Sequence, residues 1–578
     1  MATESTAPNG TAEITMLANL ITSAVQDVVK EYSAAGHSVP SLNSTEQGPF
    51  DAPHLVSPAL SRAIQTIEAA CAQLSFTVAN PGHVVTNKSY GFYEPASLLV
   101  VTNAKIADIL LDKPEGMHVQ DLAKQAGLDP GKLCRILRML ATKHCFKEVK
   151  PDVFANNRLS IQLVSSNPVS GLVVHMTDEA FKAATFLDAT LTDPKTASST
   201  STDDTPFKRA HGVSLFDFYT TPEGKKRFAQ AMVGWGAVTG RSMLPKVYPW
   251  DKIPQDAIIC DIGGGNGHAT LGLVKEFPHL KVILQDTPEV IQQGRVYWNT
   301  EHPQAVENQR VRFVAMDFFV DQPVSNCDFY YLRHVLHDWP NAEAIKILTN
   351  IRKAMKSSSR LLIHEFVLQH AVREPKDLSA NQVPEPLLAN YGMARIRLYQ
   401  QDINTMNLLN SKERTLEEFI DLARQGGFKF EHLWDSGEAG LIEFSAGFFA
   451  FLGPVMASSL PPPASPSPSL SPSPKDASPP PPTALDRLRT LLRELLRIST
   501  TDGRVFIGTF AGTDKPLNII LINAEEFRMG PGADPDGRFV GQVMLPWKMI
   551  TKVEAHIPGQ RPPLNGCNGG GGDSLYMW

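Results

Sequence analysis

Residues 257–268, Ala-Ile-Ile-Cys-Asp-Ile-Gly-Gly-Gly-Asn-Gly-His, constrain the fold more than any other stretch of this chain. An apolar run breaks into four glycines within five positions. The run reads as a buried parallel strand, and glycines directly after such a strand let the backbone approach a ligand at the start of the next helix. The spacing excludes one ligand class. Gly263, Gly265 and Gly267 form G-x-G-x-G and position 268 is His, so the dinucleotide pattern G-x-G-x-x-G is unmet. S-adenosylmethionine suits this corner, because it has no pyrophosphate to seat and needs close backbone contact for its amino-acid tail and ribose. The bland alternative is a glycine turn without a ligand.

The rhythm around this loop sets the architecture. Apolar strands at 257–262, 281–285, 311–315, 327–332 and 360–367 alternate with helical patterns, which predicts a doubly wound, Rossmann-like parallel α/β sheet over residues 171–455. Before it, residues 58–170 are helical. Within them residues 119–140 read as helix, Gly-Leu-Asp-Pro turn and second helix, and residues 145–155 as a wing hairpin, so the segment is a winged helix. Residues 1–55 read as disordered or loosely helical, with one amphipathic stretch at 14–32. Residues 456–483 are a Pro/Ser-rich linker, with eleven prolines between 461 and 482. Residues 484–558 form a small all-β module, opened by a helix from Thr483 that carries Leu485, Leu488, Leu491, Leu492 and Leu495. Residues 559–578 read as a disordered tail.

Composition narrows the partners. A net charge of -6, from 54 basic and 60 acidic residues, creates no global field for nucleic acid or anionic membrane. The six cysteines (71, 134, 145, 260, 327, 567) are scattered without a C-x-x-C pair, as expected for reduced thiols in an intracellular protein. No secretory signal pattern and no run near the ~20 apolar residues needed to span a bilayer is present. The expectation is a cytoplasmic protein with no membrane contact and no bound metal.

The strand ends carry the chemistry. Asp286, nineteen positions after Gly267, can accept from ribose hydroxyls. Asp317 can accept from an adenine amino group, and Phe318 can pack on the ring. Each has a plainer reading, Asp317 as a helix cap and Phe318 as core. The fourth strand ends in Tyr331-Leu-Arg-His-Val-Leu-His-Asp-Trp-Pro340, which places His337 at the sheet mouth. A sulfonium methyl donor is already activated; a phenol with pKa near 10 needs deprotonation, and a histidine with pKa near 6.5 can do this. Glu365 and Glu413 can hold the imidazole and stabilise its cation. The plainer readings are a structural histidine at 337 and a solvated charge at 413.

In this order the segments resemble the fungal and plant small-molecule O-methyltransferases of the caffeate and hydroxyindole type. The match covers about residues 60 to 450, through Ala210-His-Gly-Val-Ser-Leu-Phe-Asp-Phe-Tyr219, Arg227-Phe-Ala-Gln-Ala-Met232, the glycine loop, His337-Asp-Trp339 and Lys412-Glu-Arg-Thr415. The resemblance implies that Gly263, Gly265, Asp286, Asp317 and Phe318 contact S-adenosylmethionine, with Arg333 beside it. It also implies that His337 is the general base, flanked by Glu365 and Glu413, and that the winged helix pairs two subunits. Two positions depart from the family. Met316-Asp-Phe-Phe319 stands for Gly-Asp-Met-Phe, and Asn407-Leu-Leu-Asn-Ser411 lacks the usual glycine, which predicts a reshaped acceptor pocket. Lys132, Arg135, Arg138 and Lys143 on the second winged-helix helix could instead read DNA, but the acidic chain and the missing basic arm favour dimerisation.

The terminal module keeps Gly503, Gly508, Asp514 and Asn518 at Sm-fold spacing and resembles an Sm-like β-barrel. RNA-binding members carry an Arg-Gly pair in the second motif. Here it reads Gly541-Gln-Val-Met-Leu-Pro-Trp-Lys-Met-Ile550, so stacking and phosphate contacts lose their guanidinium. The run resembles the auxiliary subunit of the NatC N-terminal acetyltransferase, a scaffold. The expected function is methylation of a phenolic hydroxyl on a small aromatic acceptor by a homodimer, with N-terminal acetyltransferase subunits as partners of the β module. The alternatives are a non-catalytic winged-helix regulator or scaffold, and an RNA-binding Sm-like protein.

Overall fold

The computed structural model describes residues 9–373, 383–447, 495–513, 518–528 and 537–555. Two compact units divide the chain, Met1–Val455 and Met456–Trp578. The first opens with helix α1 (Gly10–Ala34), whose Asn9 cap accepts from the amides of Thr11 and Ala12 at 3.1 and 3.4 Å. It packs along α2 (Pro58–Val78), burying Leu17, Ala24 and Tyr32, and Leu17 shares a cluster with Ala69, Ala70, Leu387 and Tyr391. The amphipathic stretch anticipated at 14–32 lies inside this helix, which is packed rather than loose, and α2 is the partner that the sequence did not show. The apolar stripe has a fixed partner, and burying it offsets the entropy of ordering 25 residues.

The winged helix follows: β1 (Met117–His118), α3 (Val119–Ala126), α4 (Pro130–Thr142), β2 (Lys147–Lys150) and β3 (Val153–Ala155), in sheet order β1-β3-β2. Asp129 caps α4 by accepting from the Lys132 amide at 2.9 Å, and Pro130 occupies the first turn, where no amide is needed. Leu122, Leu133, Leu137, Leu140, Phe146 and Phe154 close its core. Two cations of the basic face are paired. Arg138 is bound by Glu148 at 2.6 Å and Asp152 at 2.7 Å, and Lys143 lies 3.5 Å from Glu94.

The α/β region is built from β4 (Ile258–Ile262), α5 (His268–Glu276), β5 (Lys281–Asp286), α6 (Pro288–Glu301), β6 (Val311–Ala315), β7 (Phe329–Arg333), α7 (Asn341–Ala354), β8 (Arg360–Leu368), α8 (Ile396–Leu409), β9 (Arg414–Thr415), α9 (Leu416–Gln425), β10 (Phe428–Asp435) and β11 (Ala439–Ala446). The strand order is β10-β11-β8-β7-β4-β5-β6, parallel from β6 to β8, with the antiparallel β10–β11 hairpin on one edge. Both faces are covered. Cys260, Tyr330 and Ile363 point to one core with Ile347, Ile351 and Phe419, while Ile259, Tyr331 and Leu362 point to the other with Leu273, Trp298 and Trp250. Between β4 and β7 the winding reverses, the place where open α/β sheets bind ligands.

The second unit is an antiparallel sheet of β12 (Leu495–Thr500), β13 (Arg504–Thr513), β14 (Ile519–Arg528), β15 (Arg538–Leu545) and β16 (Ile550–Ala555), in order β15-β14-β13-β12-β16. A Cβ on Gly508 would lie 2.9 Å from that of Ala524, so the bent strand can take only glycine there. The proline linker, the helix from Thr483, Asp514 and the tail lie outside the described residues. Leu495, assigned to that helix, instead opens β12. Among the described residues no helix is long and apolar enough to cross a membrane.

Candidate active site

The glycine loop leaves β4 and enters α5 with Gly263, Gly265 and Gly267 at φ +64°, +61° and +78°, a backbone region that suits glycine. A Cβ on Gly265 would meet nothing within 4 Å, so the loop faces open volume there. Asp286, at the end of β5, binds the loop: its carboxylate accepts from the Gly265 amide at 2.9 Å and from the Thr287 amide at 2.7 Å. Burial pushes its pKa up, against those amides, which lower it. Beneath the loop Asp261 is 1% exposed and accepts from the Thr270 hydroxyl at 2.7 Å; burial raises its pKa to about 7.

Phe318 comes within 3.6 Å of the Cβ position of Gly263 and packs edge-on against Trp339 at 5.9 Å, so the two predicted donor positions do meet. Asp317 is exposed and accepts from the Phe319 amide at 2.8 Å, capping its own turn. Arg333 donates to the Thr239 hydroxyl at 2.9 Å and carbonyl at 3.1 Å, which ties the end of β7 to the segment before β4.

His337 stands on a tight turn, Leu336–Asp338, just after β7, and is 5% exposed. Its Nδ1 is 2.6 Å from Glu413 Oε1 and 4.0 Å from Glu365 Oε2, and its Nε2 is 3.4 Å from Asp338 Oδ1. Burial alone would lower the imidazole pKa; the carboxylates of Glu413, Asp338 and Glu365 outweigh it and hold it up at about 10. Burial also raises the pKa of Glu413, against the attraction of His337. Each group thus favours the charged form of the other across the 2.6 Å contact.

Glu365 does not hold the ring as anticipated. Its Oε1 accepts from the amides of Val335 and Leu336, both at 2.9 Å, so it fixes the turn that carries His337. Arg414, given no role by its place in the Lys-Glu-Arg-Thr motif, completes this support. It is fully buried and donates to the Leu336 and Trp339 carbonyls, both at 2.8 Å, and to Asn341 Oδ1 at 3.0 Å. The only sequence signal was a cation adjacent to Glu413. The missing glycine before that motif has a substitute as well: Asn410 ends α8 at φ +54°, a left-handed cap that asparagine tolerates.

Comparison with known proteins agrees with this geometry. Residues 191–429 match an O-methyltransferase domain, residues 87–166 an O-methyltransferase dimerisation domain, and residues 486–551 an LSM domain. Over 436 residues the chain is 50% identical to a 3-O-methyltransferase 2 of Phanerochaete chrysosporium, covering 75% of this chain and 98% of that protein. An O-methyltransferase of Armillaria gallica is 33% identical, covering 73% and 95%. Among solved structures, LaPhzM is 25% identical with a TM-score of 0.52, covering 64% of this chain and 100% of that one. Human N-acetylserotonin methyltransferase in complex with S-adenosylmethionine shares the fold at 20% identity and a TM-score of 0.52, covering 64% and 99%. With a glycine loop, an acidic strand end and a carboxylate-held histidine on one sheet edge, the chain belongs to the S-adenosylmethionine-dependent O-methyltransferase family and carries an LSM domain after it.

Proposed function

We propose that the chain methylates a phenolic hydroxyl of a small aromatic acceptor, with His337 as the general base. The 2.6 Å contact between His337 Nδ1 and Glu413 Oε1 carries this reading, because it orients the ring and compensates the positive charge that proton transfer creates. The donor residues fit their ligand: the open volume at Gly265, the Asp286 carboxylate and the Phe318 ring suit an amino-acid tail, a ribose and an adenine face. Gly263, Gly265, Asp286, Asp317, Phe318 and Arg333 would hold S-adenosylmethionine. When bound, it supplies a methyl group on a positively charged sulfur. His337 Nε2 takes the acceptor proton, Glu413 holds the Nδ1 proton, and Glu365 and Arg414 keep the turn in place.

Asp286→Ala is expected to weaken S-adenosylmethionine binding by at least about tenfold, near 1.4 kcal/mol, read by calorimetry. Unchanged affinity would remove Asp286 from the donor site. Subunit pairing is supported by exposed Tyr90, Phe92 and Tyr93, at 59%, 47% and 54% exposure, inside the segment matched by the dimerisation model. The free thiols at Cys71, Cys134, Cys145, Cys260 and Cys327 support a reducing, cytoplasmic setting.

The LSM domain is read as a scaffold of the NatC type. Its Arg504 and Arg538 are paired with Glu526, whose side chain is 2% exposed, and Arg504 also with Asp502, so both guanidiniums already have carboxylate partners, Arg538 at the surface. Titrations with single-stranded RNA and duplex DNA at low salt are expected to show no saturable binding. Tight binding that weakens steeply with salt would replace the scaffold reading.

A further inference from the structure

Buried polar atoms without a hydrogen bond converge behind the His337 ring. They are both ring nitrogens of His334, Oε2 of Glu365 and Oε2 of Glu413. His334 Nδ1 lies 3.4 Å from Glu365 Oε2, and His337 Nδ1 lies 4.0 Å from the same oxygen. The side chains of His334, His337 and Glu365 are 7%, 6% and 0% exposed. Buried polar atoms nearly always have partners, so four orphans in one place need a cause. A neutral imidazole offers one N–H and one lone pair, and ionised carboxylates only lone pairs. With His334 neutral, the four atoms are one donor and three acceptors. A cation resolves such a set.

We propose that His334, His337 and Glu365 bind a divalent cation of the zinc class, with Glu413 as fourth donor, and that its binding switches methyl transfer off. Ligand atoms of the three residues lie within 4.8 Å of one another. Tetrahedral bonds of about 2.0–2.2 Å set neighbouring donors about 3.4 Å apart. The His334–Glu365 edge already has that length, and the longest edge need close by only about 1.4 Å, within the reach of side-chain rotation. Two imidazoles with carboxylates suit zinc, whereas magnesium and calcium favour all-oxygen sets.

The chemical consequence follows from which nitrogen is taken. A metal–Nδ1 bond forms at His337 in place of the Nδ1–H bond; the Nδ1 proton leaves to solvent, and the neutral, metal-bound ring takes up one proton from solvent on Nε2. A ring with N–H at Nε2 cannot accept a proton from the acceptor hydroxyl. This second half rests on His337 being the base; metal binding itself does not.

The test uses the full chain, stripped with a chelator and titrated with zinc chloride by calorimetry, in parallel with initial-rate assays. Wild type is expected to bind one zinc that His334→Asn does not, asparagine being chosen because position 334 has φ +50°. Zinc is expected to cut the wild-type rate at least about tenfold, chelator to restore it, and His334→Asn to move the inhibition midpoint at least about tenfold. Cobalt(II) gives a second reading on wild type alone, through the intense visible bands of a tetrahedral site, should the variant not fold. Equal zinc binding by wild type and His334→Asn, or an octahedral cobalt spectrum, overturns the site. Zinc binding that depends on His334 yet leaves the rate unchanged overturns the switch with the site intact, while the base assignment is judged separately by the kcat of His337→Gln.

Discussion

Replacing His337 by glutamine is expected to lower kcat by about 10²–10⁴-fold, while S-adenosylmethionine still binds near its wild-type affinity. That is the range for loss of general-base catalysis, and a thousandfold corresponds to about 4 kcal/mol of barrier. Glutamine is preferred to alanine because its amide can still donate to Glu413. Removing the ring without a substitute leaves a carboxylate buried and unpaired, which destabilises the fold and confuses the reading. The donor positions Gly263 and Gly265 follow β4 and Asp286 ends β5, whereas His337 follows β7. A purely structural histidine predicts the opposite pattern, with thermal stability and donor binding lost together. Single-turnover rates with labelled donor, beside calorimetry and a melting curve on the same preparation, separate the two.

Much of this site was legible because parallel strands put their C-terminal ends on one edge. Three buried apolar runs followed by Gly263, Asp286 and Asp317 place those residues side by side whatever their sequence separation, and the structure brings Phe318 against the Gly263 position. What connects elements across the sheet was not legible. Glu365 sits in the middle of a buried strand, where sequence cannot distinguish a carboxylate aimed at a ring from one aimed at the backbone amides of Val335 and Leu336. Arg414 reaches carbonyls more than seventy residues away, a contact set only by the crossing of β9 beside β8. The β10–β11 hairpin escaped for a different reason. As the edge strand, β10 buries only Phe428 fully and leaves the rest partly buried or exposed, so it lacks the continuous apolar run that marked its central neighbours. Asn410 shows the limit of reading a motif by letters: the chain keeps the left-handed turn while changing the residue that makes it.

Glu413→Gln is expected to move the acid limb of the kcat/KM profile down in pH, from the alkaline value set by His337 toward the ordinary histidine value near 6.5. The sign follows from the pair. Glu413 stabilises the imidazolium, and with Asp338 and Glu365 it holds the His337 pKa at about 10 against burial, which lowers it. An uncharged glutamine withdraws the largest attraction and leaves burial to act. Wild-type activity should therefore climb from pH 7 toward 10, and the variant should reach its plateau earlier and lower, since a weaker base drives proton transfer less. Stability moves the other way. A group whose folded pKa is raised stabilises fully below its unfolded value and loses that contribution as pH rises through the folded value, so wild type should lose melting temperature between about pH 6.5 and 10. The variant should be flatter across that window. Both profiles are measured with chelator present, so that only proton binding is read. A limb that stays where it is in wild type would show that another group than His337 titrates with turnover.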